Sequence, residues 1–326
     1  MTHPFEKLSP DLIMDAIESI GYHCDARILE LNSYENRVYQ IGTEDGAPLI
    51  GKFYRPDRWS DAQILEEHEF TLHLAAMDVS VVPPIVDAKD QTLHRFDDFR
   101  FAVYPRRGGR APELDDAGNL EILGRHIGRI HAVAGHSLFE ARPEISVATY
   151  GHASRDLLLS RQLISDSLLP AYESVTEHLL VRLEDVFAAY PYRKIRLHGD
   201  CHMGNVLWRD DVPHFVDFDD ARNGPAIQDL WMMLSGEQEQ QQIQMSHILR
   251  GYKQFCDFDY SQLRLIEPLR TLRLMHHAAW LANRWDDPAF PRAFPFFNSE
   301  RYWSDHILEL REQWAKLDDP VLDIPD

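Results

Sequence analysis

Apolar residues follow two different spacings along the chain, and the change falls near position 106. Before it, short runs of strand-forming residues dominate, at 27–31, 37–42 and 48–54. Thr43-Glu44-Asp45-Gly46 reads as a hairpin turn between the last two. Ser9-Pro10-Asp11, ahead of Leu12-Ile13-Met14, is an N-cap with Pro at the first helical position, and predicts a short helix to about residue 20. Ser60-Asp61-Ala62-Gln63 caps a longer amphipathic helix to about residue 77, which Val81-Val82-Pro83-Pro84 breaks. Two more strands are expected at 85–88 and 99–105. Beyond Arg106-Arg107-Gly108-Gly109 the pattern turns helical, at 119–135, 154–166, 171–190, 226–234, 239–257, 261–285 and 300–316. A strand-like segment, 195–217, interrupts these helices. The expectation is an α+β chain with a sheet-rich N-lobe, residues 1–105, and a helical C-lobe, residues 106–326. No repeat or low-complexity tract appears, and the last ten residues, rich in Asp and Pro, read as a loose tail.

Composition narrows the setting. A hydrophobic share of 44% supports a substantial core. A net charge of −20 disfavours nucleic acid or an anionic membrane as partner, because both reward clustered Lys and Arg. Three scattered cysteines fit a reducing cytosol better than a disulfide framework. The opening Met1-Thr2-His3-Pro4-Phe5-Glu6-Lys7 has no apolar signal core, and no later stretch nears the length of a membrane span. A cytoplasmic monomer is expected.

The chemistry concentrates in His198-Gly199-Asp200-Cys201-His202-Met203-Gly204-Asn205 and in Phe215-Val216-Asp217. An Asp with four residues between it and an Asn, and a second Asp at the end of an apolar run, has the spacing of a protein-kinase catalytic loop and its metal site. There one Asp orients the attacking hydroxyl, while the Asn and the later Asp hold Mg²⁺ through hard oxygen atoms. Asp200 is thus the candidate catalytic base, and Asn205 and Asp217 are candidate metal ligands, Asp217 taking part in catalysis too. Asp219 and Asp220 read more readily as solvated carboxylates than as participants. His198 reads as a residue that positions the loop. Arg222-Asn223-Gly224-Pro225 with Asp229 reads as a buried polar brace beneath it.

Lys52, flanked by apolar residues at the end of a strand, needs a partner for its ammonium. A nucleotide phosphate and a helix carboxylate would both serve. Glu67 is the preferred carboxylate, because Phe70 and Leu74 share its helical face. Asn32-Ser33-Tyr34-Glu35-Asn36, where a phosphate loop would stand, has no glycine; its Ser33 hydroxyl and backbone amides could still meet a phosphate. Cys201 and His202 near Asp200 raise a zinc hydrolase as an alternative, without a second ligand cluster to complete it. His276, His277, Trp280, Trp285, Phe290, Phe294 and Phe296-Phe297 read mainly as core, with Trp280 or Trp285 as candidates for a substrate cleft.

Across Leu31-Asn32-Ser33-Tyr34-Glu35-Asn36-Arg37-Val38-Tyr39-Gln40, Lys52-Phe53-Tyr54-Arg55-Pro56, Ile64-Leu65-Glu66-Glu67-His68, Leu197-His198-Gly199-Asp200-Cys201-His202, Asp219-Asp220-Ala221-Arg222-Asn223-Gly224-Pro225-Ala226 and Asp229-Leu230-Trp231-Met232, the chain resembles the stress response kinase A family. That family sits in the aminoglycoside/choline phosphotransferase-like branch of the protein kinase fold. The resemblance implies a bilobal kinase-like fold and a cytoplasmic bacterial serine/threonine protein kinase that uses ATP and Mg²⁺ in stress protection. It assigns Asp200 as proton acceptor, Asn205 and Asp217 as magnesium ligands, and Ser33 to the nucleotide-facing loop. Gly199 replaces the usual Arg before the catalytic Asp, Phe218-Asp219 replaces Phe-Gly, and no Ala-Pro-Glu segment follows, so control by an activation loop is not expected. Two readings compete: a small-molecule kinase acting on an aminoglycoside, choline or homoserine-like alcohol, which the acidic balance would suit, and a catalytically inert nucleotide-binding scaffold.

Overall fold

In the computed structural model, residues 4–44 and 46–324 are described. Asp45 of the expected hairpin turn lies outside them, as do Met1, Thr2 and His3. Ser9 caps α1 (Pro10–Glu18) by accepting from the Leu12 amide. The strands β1 (Cys24–Leu31), β2 (Arg37–Thr43) and β3 (Leu49–Phe53) form as antiparallel neighbours. Helix α2 (Asp61–Ala76) opens with a full capping box, in which Ser60 and Gln63 satisfy each other's backbone amides. Next come β4 (His94–Phe96) and β5 (Phe99–Pro105), which complete a five-stranded sheet of order β1-β2-β3-β5-β4.

The expected strand at 85–88 does not form. Pro83 and Pro84 cannot donate to a ladder, and the Asp87 side chain instead closes a local turn by accepting from the amides of Lys89 and Gln91 at 2.8 Å. Only Ile85 joins the sheet, through its amide to the Val103 carbonyl at 2.7 Å. Strand β4 takes the place at the edge, folded back onto β5 by the two-residue turn Asp97-Asp98, with Asp97 at φ 50°.

The sheet carries apolar residues on both faces. Phe5, Ile13 and Ile17 cover one face against Ile41, Phe53, Phe101 and Val103. On the other, Tyr54 and Ala102 pack with Ile64 of α2. Strand alternation puts Lys52, between Val38 and Ala102 in the ladder, on the opposite side from Phe53.

The chain then enters a helical unit: α3 (Ala117–Ala134), a π-helical turn at Val147–His152, α4 (Ala153–Arg161) and α5 (Leu169–Ala189). Helix α4 stops short of the expected residue 166 because Gln162 is left-handed, at φ 52°. After β6 (Ile195–Leu197) comes a hairpin of β7 (Val206–Arg209) and β8 (Val212–Phe215), then β9 (Arg222–Gly224), which pairs with β6. The helices α6 (Ile227–Trp231), α7 (Gln238–Tyr252), α8 (Ile266–Arg284), α9 (Ala289–Ala293) and α10 (Glu300–Lys316) follow.

Two compact units result. One runs to Glu113 and takes in His202–Ala221; the other is formed by Leu114–Cys201 and the residues from Arg222 onward. This grouping differs from a single cut at position 106, because backbone pairing draws the β7–β8 hairpin into the first unit. The Val82 amide donates to the Phe215 carbonyl at 3.1 Å, and Arg110 and Trp208 exchange two bonds at 3.0 and 2.7 Å. The tail is pinned rather than loose up to Asp323. Arg182 meets Asp318 at 2.7 Å, Gln238 donates to the Pro320 carbonyl at 2.6 Å, and the Asp323 amide reaches Gln242 at 3.4 Å. Among the described residues no helix is long and apolar enough to cross a membrane.

In the second unit α3 and α7 approach without side chains between them. A Cβ on Gly124 would lie 1.9 Å from the Ile248 carbonyl oxygen, and one on Gly251 would lie 2.0 Å from that of Glu121. The aromatic run after α8 packs on itself as core. Trp280 sits 5.1 Å from Phe290, Trp285 sits 4.9 Å from Phe297, and both phenylalanines are fully buried.

Two outcomes follow from this packing. Gly124→Ala should cost about 3 kcal/mol, the upper range for overpacking, because the obstacle is backbone and cannot rotate away; urea unfolding measures it. His306, buried in α10 against Tyr172 and Tyr302, has its pKa lowered to about 4, by burial first and then by His277. A depressed histidine adds stability above its unfolded value near 6.5, and that stability is lost as pH falls toward 4. On this basis His306→Gln should flatten the acid limb of a stability–pH curve between those values, by on the order of 3 kcal/mol at its lower end.

Candidate active site

Lys52 leaves β3 into a nearly water-free setting, with only 8% of its side chain exposed. Its Nζ donates to Asp217 Oδ1 at 3.0 Å and lies 3.2 Å from Asp219 Oδ1. Burial alone would lower the affinity of this ammonium for its proton. The charges of Asp217, then Asp219 and Glu67, outweigh that and push the pKa well above the ordinary lysine range, so the group stays charged. Glu67, buried on α2, thus acts on Lys52 from the helix that sequence reasoning chose. The partners at ion-pair distance are the two aspartates of the turn after β8.

That turn has unusual backbone. Asp217 sits at φ 58° and ψ 63°, a left-handed conformation that costs a non-glycine residue about 1 kcal/mol or more, and a short 3₁₀ turn, Phe218–Asp220, follows. Phe218 fixes the turn from below by packing edge-on against Phe70 of α2, with centroids 5.9 Å apart. Asp217 is therefore lifted toward solvent while Asp219 is turned inward: their side chains are 54% and 6% exposed. The expectation that Asp219 is an ordinary solvated carboxylate is corrected here. Its second oxygen meets Arg58, whose other nitrogen reaches Asp220 Oδ1 at 2.7 Å. Arg58 stands in the connection between β3 and α2, and no local pattern marks it.

Asn205 ends a single 3₁₀ turn, Met203–Asn205, and its carbonyl accepts from the Val216 amide at 3.0 Å. The hairpin thus brings the two metal-ligand candidates, Asn205 and Asp217, to neighbouring positions. The loop at Asn32–Asn36, where Ser33 is half-buried, is tied down by arginines. Arg55 donates from its amide to Asn36 Oδ1 at 3.1 Å and from Nε to the Glu35 carbonyl at 2.9 Å, and it pairs with the Glu35 carboxylate at 3.1 Å.

Asp200 belongs to the second unit. Arg273 of α8 forms an ion pair with its Oδ1 at 2.8 Å. The backbone before it is held by Asp229 of α6, whose two carboxylate oxygens accept from the amides of His198 at 2.7 Å and Gly199 at 2.9 Å. His131 of α3 donates to Asp229 at 3.0 Å and bonds through its other ring nitrogen to the Tyr252 hydroxyl at 3.0 Å. The expected brace beneath the loop is thus a specific clamp. Gly199 adopts φ 84°, where a side chain is strained, which accounts for glycine in the position kinases usually give to arginine.

No cluster of three or more His, Cys, Asp or Glu side chains able to hold a metal occurs among the described residues. Cys201 is buried, and burial, then Asp229 and Asp200, raise its pKa well above the ordinary thiol range. With no such cluster around it, the zinc-hydrolase alternative gains no support at this loop. The oxygen donors of Asp217 and Asn205 suit a hard cation instead.

Comparison with known proteins identifies the family of the chain. Residues 27–266 match the model of the phosphotransferase enzyme family, APH. Stress response kinase A of Escherichia coli K12 is 44% identical over 320 residues, 98% of this chain and 97% of that protein. The serine/threonine protein kinase RdoA of Salmonella typhimurium LT2 is 42% identical over the same shares. Among solved structures, an amicoumacin kinase in complex with AMP-PNP, Ca²⁺ and its antibiotic superposes with a TM-score of 0.73 at 22% identity, covering 95% of this chain and 94% of that one. The fold is therefore the α+β kinase-like fold. With identity spread over almost the full length, and not confined to the loops just described, the chain belongs to the phosphotransferase enzyme family, in its stress response kinase A branch, and is a kinase.

Proposed function

We propose that this kinase transfers the γ-phosphoryl group of ATP, with Mg²⁺, to Ser or Thr hydroxyls of a protein substrate, acting as a cytoplasmic monomer in a bacterial stress response. The observation that carries the reading is the buried Lys52 ammonium held 3.0 Å from Asp217, in a chain 42% identical to a protein named as a serine/threonine kinase. A buried, permanently charged ammonium beside an exposed carboxylate suits a metal-bound polyphosphate.

In this reading Lys52 grips phosphate oxygens, with Glu67 as a further counter-charge, and the Ser33 hydroxyl donates to a phosphate. Asn205 and Asp217 hold the metal. Bound there, Mg²⁺ supplies charge neutralisation for the phosphates. Asp200 accepts the proton of the substrate hydroxyl as its oxygen bonds to the γ-phosphorus. The bond from that phosphorus to the β–γ bridging oxygen breaks, and ADP leaves. Arg273, paired with Asp200 across 2.8 Å, holds that carboxylate by charge, and the Asp229 clamp holds the backbone that carries it. Catalysis then comes mainly from positioning and charge neutralisation.

The test is transfer from γ-labelled ATP to a cell lysate, with a panel of small alcohols, amino alcohols and aminoglycosides alongside. Label is expected on Ser and Thr of proteins, and Asp200→Ala should lower it by roughly 10²- to 10⁴-fold, the range for loss of a general base. Equal labelling by both forms would remove Asp200 from the reaction. Label confined to the small alcohols would replace the protein substrate with a small molecule, and AMP-PNP binding without any transfer would indicate an inert scaffold.

A further inference from the structure

A carboxylate that turns to a metal has to leave the ammonium it was paired with. An ammonium as buried as Lys52 is strongly disfavoured without a counter-ion. Beyond Glu67 and a bound phosphate, Lys52 keeps a protein counter-ion at ion-pair distance if one of its two aspartates stays behind. The difference in their exposure shows which one is available to move: Asp217 is open to solvent and Asp219 is enclosed.

What holds Asp219 is Arg58. The guanidinium, 9% exposed, faces Asp219 Oδ2 with one nitrogen and Asp220 Oδ1 with the other at 2.7 Å. It also lies 3.7 Å from Glu35 Oε2 and over the Trp59 ring, 5.2 Å from its centre. One side chain in the β3–α2 connection thus ties together the loop at 32–36 and the turn after Asp217. With Asp219 Oδ2 on Arg58, its Oδ1 remains aimed at Lys52. A rigid planar fork can hold two adjacent carboxylates in a way that a lysine cannot.

We infer that Arg58 is a positioning residue: it locks Asp219 onto Lys52 as a permanent counter-ion and so releases Asp217 to exchange from the ammonium to the metal. The inference rests on the proposed role of Asp217 as metal ligand and says how this chain makes that role compatible with a buried lysine.

The experiment is calorimetric binding of AMP-PNP to the full chain, once with Mg²⁺ and once with EDTA. For the wild type, Mg²⁺ should tighten binding. In Arg58→Gln the tightening by Mg²⁺ should shrink by about tenfold, the lower range for loss of a group that orients a metal ligand, while affinity in EDTA changes little. Arg58→Lys should recover only part of it. In an Asp219→Asn background, Arg58→Gln should have no further effect, because the two act in series. Should Arg58→Gln fail a thermal-melt check of folding, Asp219→Asn against wild type makes the same comparison. An unchanged gain from Mg²⁺, or additive losses in the double variant, would overturn the inference and leave Arg58 a staple between loops. Absence of AMP-PNP binding by the wild type under both conditions would instead defeat the nucleotide reading beneath it.

Discussion

A lysine cannot be buried as a cation unless negative charge is built around it, and the first unit is arranged to meet that condition. Lys52 lies on a central strand, so the sheet dictates where its ammonium goes. Helix α2 brings Glu67 to the same face, and the β7–β8 hairpin delivers Asp217 and Asp219 at its end. The hairpin lies about 150 residues away in sequence from β3, so this charge balance exists only after long-range pairing is complete. Packing of Phe218 against Phe70 and pairing of Phe215 with Ser80 and Val82 hold the hairpin to the sheet. The strained backbone at Asp217 is sustained by these contacts.

The second unit solves a different problem, the aiming of a loop. A carboxylate buried as fully as Asp229 would be costly alone, but here the two loop amides and His131 donate to it, and Tyr252 steadies the histidine from its far side. The loop before Asp200 is held through the backbone amides of His198 and Gly199, and the positive φ at Gly199 favours glycine there. Charge on Asp200 itself is balanced locally by Arg273.

What could be read from the sequence was whatever depends on near neighbours. The capping signals of α1 and α2, the strands β1, β2, β3 and β5, and most helices of the second unit declare themselves within a few residues. The spacing of Asp200, Asn205 and Asp217 is likewise a local signature. The miss at 85–88 has a local cause too, since Asp87 could have been recognised as a turn former. The Asp97-Asp98 turn that makes β4 was also visible in Phe96-Asp97-Asp98-Phe99. Other features were beyond such reasoning. Arg58 and Asp219 are separated by 161 positions, and nothing in either segment announces the other. The assignment of residues 202–221 to the first unit rests on backbone bonds to residues 80–82 and 110. The pinned tail depends on Arg182 and Gln238, which read as ordinary surface residues.

The crossing of α3 and α7 reaches further than stability. His131 lies one helical turn beyond Gly128, and Tyr252 directly follows Gly251, so the side chains that steady Asp229 are set on the same turns where the two helices touch. A Cβ on Gly128 would fall 2.6 Å from the carbonyl oxygen of Tyr252 itself. Helix spacing and loop geometry are therefore one variable. Widening the crossing by the thickness of a methyl group would draw His131 and Tyr252 apart and loosen the backbone that carries Asp200.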